Sequence, residues 1–326
     1  MKKIAVINEF SIETIRDALQ KLDSFEGLVV NGLNAFQLNE VEKIDPELFA
    51  QISEKINSGK WYPFVGMWSE TDKEISDEFL TRSVLYSIRF FKDRFDRKFR
   101  IFVADKIYTN LLPQVVYTAG FDSCYIKEEA ESFWLDGADG TRTHIAGKLE
   151  TVDVNDIDDG FINENEFASI EDEIIARFSV PMDVKTVKLS YKESCPTDEE
   201  KMLVEAEKIS VQSGEKNEEK IKELWLEIFL GNSVKNEAEK IINGRKICED
   251  FLTINSDGAK LISMKYAEDG SDNVVIRIRE TEGKEKTLFV MCDALEAGFR
   301  CEINPYELIT FRIIEEGFVQ EIFLGE

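Results

Sequence analysis

The chain has 326 residues and a formal net charge of −25 at pH 7, from 65 acidic and 40 basic side chains. A surface of that sign repels phosphate backbones and anionic membranes, so we expect neither nucleic acid nor a membrane as a partner. With 43% hydrophobic residues, five scattered cysteines and no apolar run of roughly 20 residues, the sequence predicts a cytoplasmic protein of two or three packed domains.

Residues 1–160 alternate short apolar runs with helical patterns, which predicts an α/β domain built on a parallel sheet. The predicted strands are Ile4–Ile7, Leu28–Val30, Trp61–Val65, Phe99–Val103 and Cys124–Ile126. The predicted helices lie near 12–22, 45–57, 76–95 and 110–119.

The segment 57–95 carries the strongest local pattern. An aromatic run interrupted by proline and glycine is followed by apolar residues at helical spacing, with Ser76 as the predicted N-cap. Trp68, Glu70 and Asp72 lie between them, at the carboxyl end of the strand, where α/β folds usually place ligands. Trp68 either stacks on a ligand or packs under the following helix.

The rest of the chain changes character twice. Residues 150–173 are acidic and predict a solvated connector, and 161–245 form a linker followed by two antiparallel helices with a break at Ser213-Gly214. Residues 246–326 show period-two alternation with regular turn signals, which predicts an antiparallel β-sandwich.

Several motifs resemble glycoside hydrolase family 38, the retaining α-mannosidases. WYPFVGMWSETD at 61–72, followed by LTRSVLYSIRFFKDRF, is similar to a family segment, and DPELF, LLPQ, AGFD and the pair FW with DGT extend the likeness across 25–145. MKYAEDGSDNVVIRIRETEG and NPYELITFRI resemble the family's carboxyl-terminal motifs. The resemblance implies an α/β barrel, here incomplete or reduced, a short helical segment and a carboxyl-terminal β-sandwich.

The resemblance also implies a zinc site, which this chain is expected to lack. Family members hold zinc with two histidines, an aspartate and the nucleophilic aspartate, and Asp105 stands at the nucleophile position. The chain has one histidine, His144, and it matches neither family histidine motif. One imidazole cannot supply two ligands, so we predict no cofactor and a vestigial catalytic role for Asp105.

The sequence therefore predicts a family-38-like protein without zinc and without glycosidase activity, retained as a carbohydrate-binding or interaction module. Trp68, Asp72, Asp139 and His144 are the predicted substrate-binding residues, for a mannoside or another carbohydrate. A protein partner or a homo-oligomer is also expected. Two alternatives stay open: a metal-independent retaining glycosidase with Asp105 as nucleophile and an unidentified acid, and an assembly protein whose cleft is filled.

Overall fold

The computed structural model of the protein describes residues 3–158, 167–178, 184–245, 248, 251–292, 295, 297–314 and 319–322. These residues form mixed parallel sheets with helices, then a helical segment, then two antiparallel sheets. Across the same ranges, the helices are too short or too polar to span a membrane.

The amino-terminal region runs from residue 3 to residue 188. Its strands are β1 (Ile4–Val6), β2 (Val30–Asn31), β3 (Trp61–Tyr62), β4 (Ile101–Ala104), β5 (Ser123–Ile126), β6 (Phe133–Asp136), β7 (Arg142–Ala146), β8 (Thr151–Asp153) and β9 (Thr186–Lys188). Its helices are α1 (Ile12–Ser24), α2 (Ala35–Ile44), α3 (Pro46–Asn57), α4 (Asp77–Arg94), α5 (Leu112–Thr118) and α6 (Ile170–Phe178). Each predicted strand and helix has a counterpart here, whereas α2, α6 and the four strands β6 to β9 were not predicted.

The strands form two sheets that are mainly parallel, as the alternating pattern predicted. One has the order β3-β2-β1-β8 and the other β4-β5-β7-β6-β9, in which the β6–β7 pair is antiparallel. A single parallel bridge between Gly66 and Val103 links the two sheets. β8 and β9 are end strands, so the described residues form no closed barrel, and the reduced barrel stays a prediction.

Gly66 makes the link between the sheets sterically feasible. A Cβ at this position would lie 2.0 Å from the carbonyl oxygen of Val103, so only glycine permits the approach. The Val103 N–H donates to the carbonyl of Val65 at 2.8 Å. The chain that follows Gly66 is thereby held beside the carboxyl end of β4.

Helix α4 begins where its sequence predicts. The Ser76 hydroxyl accepts a hydrogen bond from the Phe79 N–H at 3.0 Å, which caps the first turn. Trp61, in the strand before it, is fully buried, and its indole N–H donates to the carbonyl of Gly32 at 3.0 Å.

The predicted solvated connector over 150–173 is wrong for its described residues. β8 pairs in parallel with β1, and Val154, Ile157 and Ile170 are buried. The backbone of this segment pairs with the edge of β1, and the apolar residues between the acidic ones become buried. The charge pattern alone did not predict this pairing. Residues 159–166 lie outside the described part.

Three helices follow: α7 (Asp198–Ser213), α8 (Glu218–Phe229) and α9 (Lys235–Ile242). The predicted break is confirmed, because Gly214 adopts a left-handed φ of 70° and ends α7. The prediction of two helices missed α9, whose only fully buried side chain is Ala238, so its apolar periodicity is weak.

The carboxyl-terminal strands are β10 (Thr253–Ile254), β11 (Ala259–Tyr266), β12 (Val274–Glu280), β13 (Lys286–Cys292), β14 (Ala297–Ile303), β15 (Leu308–Ile313) and β16 (Val319–Glu321). They form two antiparallel sheets, ordered β10-β13-β14 and β11-β12-β15-β16. Both sheets contribute to one apolar cluster, which includes Leu288 and Ile276. The predicted antiparallel pattern is confirmed, and β10, β14 and β16 were not predicted.

A buried ion cluster joins these regions, consisting of Glu78 and Arg82 of α4, Glu207 of α7 and Arg277 of β12. Arg82 donates to Glu78 at 2.7 Å and to Glu207 at 2.5 Å, and Arg277 donates to Glu78 at 2.6 Å. All four side chains are at most 5% exposed. The relative position of the helices and the carboxyl-terminal sheets therefore depends on paired charges out of contact with water.

Candidate functional site

The position of Asp105 follows from the register of two parallel strands. Ala104 at the end of β4 lies opposite Ile126 at the end of β5, so the next residues, Asp105 and Lys127, are neighbours. The Lys127 ammonium lies 2.7 Å from a carboxylate oxygen of Asp105. The carboxylate at the predicted nucleophile position is therefore paired with an ammonium from the adjacent strand.

Glu70 reaches the same point from the segment after Gly66. Its carboxyl group accepts a hydrogen bond from the Tyr108 hydroxyl at 2.5 Å. The pKa of Glu70 is raised to about 7, mainly by burial and also by the charge of Asp105, while Lys127 opposes the shift. We call Glu70, Asp105, Tyr108 and Lys127 the carboxylate cluster.

The carboxylate cluster combines two carboxyl groups in different environments. Glu70 is partly protonated at neutral pH because it is desolvated, whereas Asp105 keeps a cation beside it. Pairs of carboxyls that differ in this way are typical of acid and base partners in glycosidases, although structural ion pairs produce the same pattern.

His144 does not join this cluster. It lies on β7 opposite Ser123, with its Nδ1 3.2 Å from the Ser123 hydroxyl, and burial lowers its pKa to about 4. Asp105 lies four residues further along the parallel strands than the level of His144. At about 3.3 Å per residue, this is a separation of roughly 13 Å along the strand direction. The imidazole is therefore neutral at pH 7 and lies at the opposite end of the sheet.

Trp68 is 5% exposed and packs edge-to-face on Phe90 of α4, with ring centroids 5.7 Å apart. Its backbone N–H donates to the Ser83 hydroxyl at 2.9 Å. This is the packing role that the sequence offered as one of two interpretations. It leaves little of the indole face for a ligand, and stacking on a sugar stays a prediction.

Asp72 and Asp139 lie at two further places. Asp72 is exposed, and its carbonyl accepts a hydrogen bond from the Lys106 ammonium at 3.1 Å. Asp139 lies in the β6–β7 turn and accepts hydrogen bonds from the N–H and hydroxyl of Thr141. The structure thus brings Asp105 together with Glu70, Tyr108 and Lys127, and Asp72 contacts Lys106, the residue that follows Asp105. Trp68, Asp139 and His144 contact other residues.

The residues present do not fit the zinc site that the resemblance implies. The single histidine is buried in the sheet away from Asp105, and Asp105 already has an ammonium as its partner. Within the described ranges, no three His, Cys, Asp or Glu side chains are grouped so that they could hold a metal ion. We derive no step of a reaction through a metal here.

Removing the ammonium tests how the carboxylate cluster is held. In Lys127→Met we expect the pKa of Glu70 to rise above its value of about 7, because Lys127 lowers it in the wild type. The change in stability should be about 1 kcal/mol or less, since both partners of the ion pair are about one-third exposed.

The measurement is a ¹³C NMR titration of the Glu70 side-chain carboxyl carbon, assigned with Glu70→Gln. Lys106→Met is the matched control, because its ammonium binds the carbonyl of Asp72 instead. An unchanged or lower pKa of Glu70 in Lys127→Met would contradict this account.

Three members of the cluster, Glu70, Tyr108 and Lys127, were not assigned from the sequence. Glu70 was noted at the strand end but not as a partner of Asp105, and Tyr108, which donates to it, lies 38 residues away. Lys127 was not considered. Its signal was present, since it is the first residue after a predicted strand parallel to the one that precedes Asp105.

Comparison with known proteins agrees with the motifs. Residues 13–130 match the glycosyl hydrolases family 38 N-terminal domain. "Alpha-mannosidase G" of Dictyostelium discoideum is 37% identical over 81 residues, which is 24% of this chain and 8% of that protein.

Two solved structures from Enterococcus faecalis share the fold. The first, a protein in the glycosyl hydrolase family 38, matches 97% of this chain with 11% identity and a TM-score of 0.51. The second, an α-mannosidase, matches 97% of this chain with 10% identity and a TM-score of 0.54. This chain covers 54% and 56% of their lengths, so it spans about half of each. Family motifs, the match over residues 13–130 and the shared fold together make the chain similar to glycosyl hydrolase family 38 proteins, α-mannosidases among them.

Proposed function

We propose that this protein is a family-38-like module that binds carbohydrate, or engages a protein partner, without hydrolysing glycosides. The observation that carries the proposal is the ion pair between Asp105 and Lys127 at 2.7 Å. A nucleophile must present a free carboxylate to the sugar, and here the adjacent strand neutralises it. The same proposal regards the amino-terminal sheets as an incomplete barrel and the carboxyl-terminal sheets as the family's sandwich.

The absent histidines support this proposal independently. A zinc ion held by one buried imidazole and one ion-paired aspartate would lack most of its ligands. The expected ligand is a mannoside or a related sugar, since the matched relatives include α-mannosidases.

One observation favours a second candidate, a metal-independent retaining glycosidase. Glu70 has a pKa of about 7, and it lies close enough to Asp105 for the charge of Asp105 to raise that pKa. A protonated carboxyl beside an ionised one is the arrangement in which the first acts as general acid and the second as nucleophile. Glu70 would then be the acid that the sequence left unidentified.

An assay with 4-nitrophenyl α-D-mannoside between pH 4.5 and 8, with and without added Zn²⁺, separates the two. We expect no turnover above that of Asp105→Asn, because the wild-type carboxylate is already neutralised. Turnover that is abolished in Asp105→Asn and strongly reduced in Glu70→Gln would contradict the first proposal and establish the second. Tightly bound stoichiometric zinc in the purified protein would contradict both.

A further inference from the structure

A cavity of about 400 Å³ lies where the helices meet the carboxyl-terminal sheets. Its walls come from the amino-terminal end of α4, the segment 191–196, the first half of α7, and strands β11 and β12. We call it the junction cavity. Its size falls within the range of small-molecule sites, and none of the carboxylate cluster lines it.

Three charged side chains that line the junction cavity are buried with incomplete hydrogen bonding. Asp77, Glu78 and Arg279 are 6%, 4% and 2% exposed. Asp77 Oδ1, Glu78 Oε2, and Nε and Nη1 of Arg279 have no hydrogen-bond partner among the described residues. Buried polar atoms nearly always have a partner, so these atoms point to a polar group supplied from outside the chain.

Contacts with neighbouring side chains orient Arg279, although not all of its N–H groups have a hydrogen-bond acceptor. Its Nη2 donates to the side-chain oxygen of Asn110 at 3.3 Å, and its guanidinium lies 5.6 Å from the ring of Tyr191. Tyr191 in turn stacks on Tyr306, with ring centroids 4.4 Å apart and planes at 12°. The guanidinium is therefore oriented by its neighbours, and its Nε and Nη1 have no hydrogen-bond partner among the described residues.

Tyr191 also gives the cavity an apolar wall. It lines the space together with Val204, Leu261 and Ile262. A pyranose ring has one face of C–H groups that packs on such a surface, and hydroxyls around its edge that both donate and accept hydrogen bonds.

The charges of the lining are nearly balanced, which argues against a strongly charged ligand. Five lining side chains are acidic and four are basic: Asp77, Glu78, Glu193, Glu200 and Glu205, against Lys201, Lys208, Lys260 and Arg279. A neutral ligand avoids an unpaired buried charge in such surroundings.

We propose that the junction cavity binds one neutral monosaccharide unit. Its hydroxyls accept hydrogen bonds from Arg279 and donate hydrogen bonds to Asp77 and Glu78, and its apolar face packs on Tyr191. This inference rests on the proposed function, because it assumes that the module binds carbohydrate. It places the sugar at the junction of helices and sheets instead of at the strand end that contains Asp105.

Ligand-detected NMR and calorimetry with methyl α-D-mannoside and methyl α-D-glucoside test the proposal, with glucuronate and glucosamine as charged comparisons. We expect the neutral glycosides to bind more tightly than either charged sugar. Arg279→Met should weaken binding by about 10- to 100-fold, the factor for a lost hydrogen bond to a charged group. Tyr191→Ala, at a half-buried position, should weaken it as well and serves if Arg279→Met fails to fold. Arg142→Met, at an exposed ion pair, should bind as the wild type does.

The outcomes separate this inference from the proposed function. If the wild type binds a glycoside and only Asp105→Asn weakens it, the junction cavity is the wrong site and the carbohydrate-binding proposal survives. If glucuronate binds most tightly, the neutral-ligand assignment is wrong. If the wild type binds none of these sugars at 50 mM, both the inference and carbohydrate binding are contradicted.

Discussion

Arg82→Met is expected to lower the free energy of unfolding by about 3–5 kcal/mol, the usual cost of leaving buried charges without their partner. Arg82 is fully buried and donates four hydrogen bonds to Glu78 and Glu207. Its guanidinium also lies 4.7 Å from the ring of Trp225. Without it, Glu207 keeps only the indole N–H of Trp225 among these contacts.

Urea unfolding followed by circular dichroism measures the effect, with Arg16→Met as the matched control. Arg16 pairs with Asp45 at 2.8 Å, but its side chain is 63% exposed, so its loss should cost about 1 kcal/mol or less. Adding Glu207→Gln to Arg82→Met should recover part of the loss, because the amide removes a buried charge and still accepts from Trp225. Equal losses in Arg82→Met and Arg16→Met would show that the ion cluster does not stabilise the fold.

Glu200→Gln is expected to flatten the dependence of stability on pH between about 4.5 and 7. The pKa of Glu200 is raised from 4.5 to about 7, mainly by burial and to a smaller extent by the charge of Glu78, against the hydrogen bonds from Ser76 and Thr197. In this window the folded protein binds more protons at Glu200 than the unfolded chain does, so the free energy of unfolding falls as pH rises. At about 1.4 kcal/mol per unit, Glu200 contributes a loss of up to about 3 kcal/mol across the window.

The glutamine side chain keeps the local structure comparable. Glu200 is part of a capping box at the start of α7, in which the side chains of Thr197 and Glu200 each accept a hydrogen bond from the backbone N–H of the other residue. Glutamine serves equally well at that position. Glu199→Gln, in the same turn, controls for removing a negative charge near the helix terminus. The measurement is the urea midpoint at pH 5 and at pH 7.5 for wild type and both variants.

Glu200 lowers the stability between these two pH values, and Glu70 adds a loss of the same sign because burial also raises its pKa to about 7. His144 adds a gain up to about pH 6.5, because burial lowers its pKa from 6.5 to about 4, and this gain is common to the wild type and both variants. The change in stability from pH 5 to pH 7.5 should therefore be less unfavourable in Glu200→Gln than in the wild type or in Glu199→Gln. A Glu200→Gln variant with the same pH dependence as Glu199→Gln would contradict the assigned burial of Glu200.

The elements predicted most accurately were those whose signals are local. The Ser76 cap and the apolar spacing after it define α4, and Gly214 ends α7, because caps and left-handed turns depend on a few neighbouring residues. α2 was missed although Asn34 and Gln37 form a capping box, a local signal that the prediction did not use. β14 was missed because Gly298, Arg300 and Glu302 leave it with few large apolar residues.

The amino-acid sequence by itself determined the family resemblance, the order of the strands and helices that it predicted, and the single histidine on which the prediction of a missing zinc site depends. Only the tertiary structure decided which groups meet. Asp105 is paired with Lys127, 22 residues away, Arg82 with Glu207, 125 residues away, and Glu78 with Arg277, 199 residues away. The Asp105–Lys127 pair follows from the register of two parallel strands. The two buried pairs form because packed elements remove both charges from water at one place, and no spacing along the chain encodes which cation will reach which carboxylate.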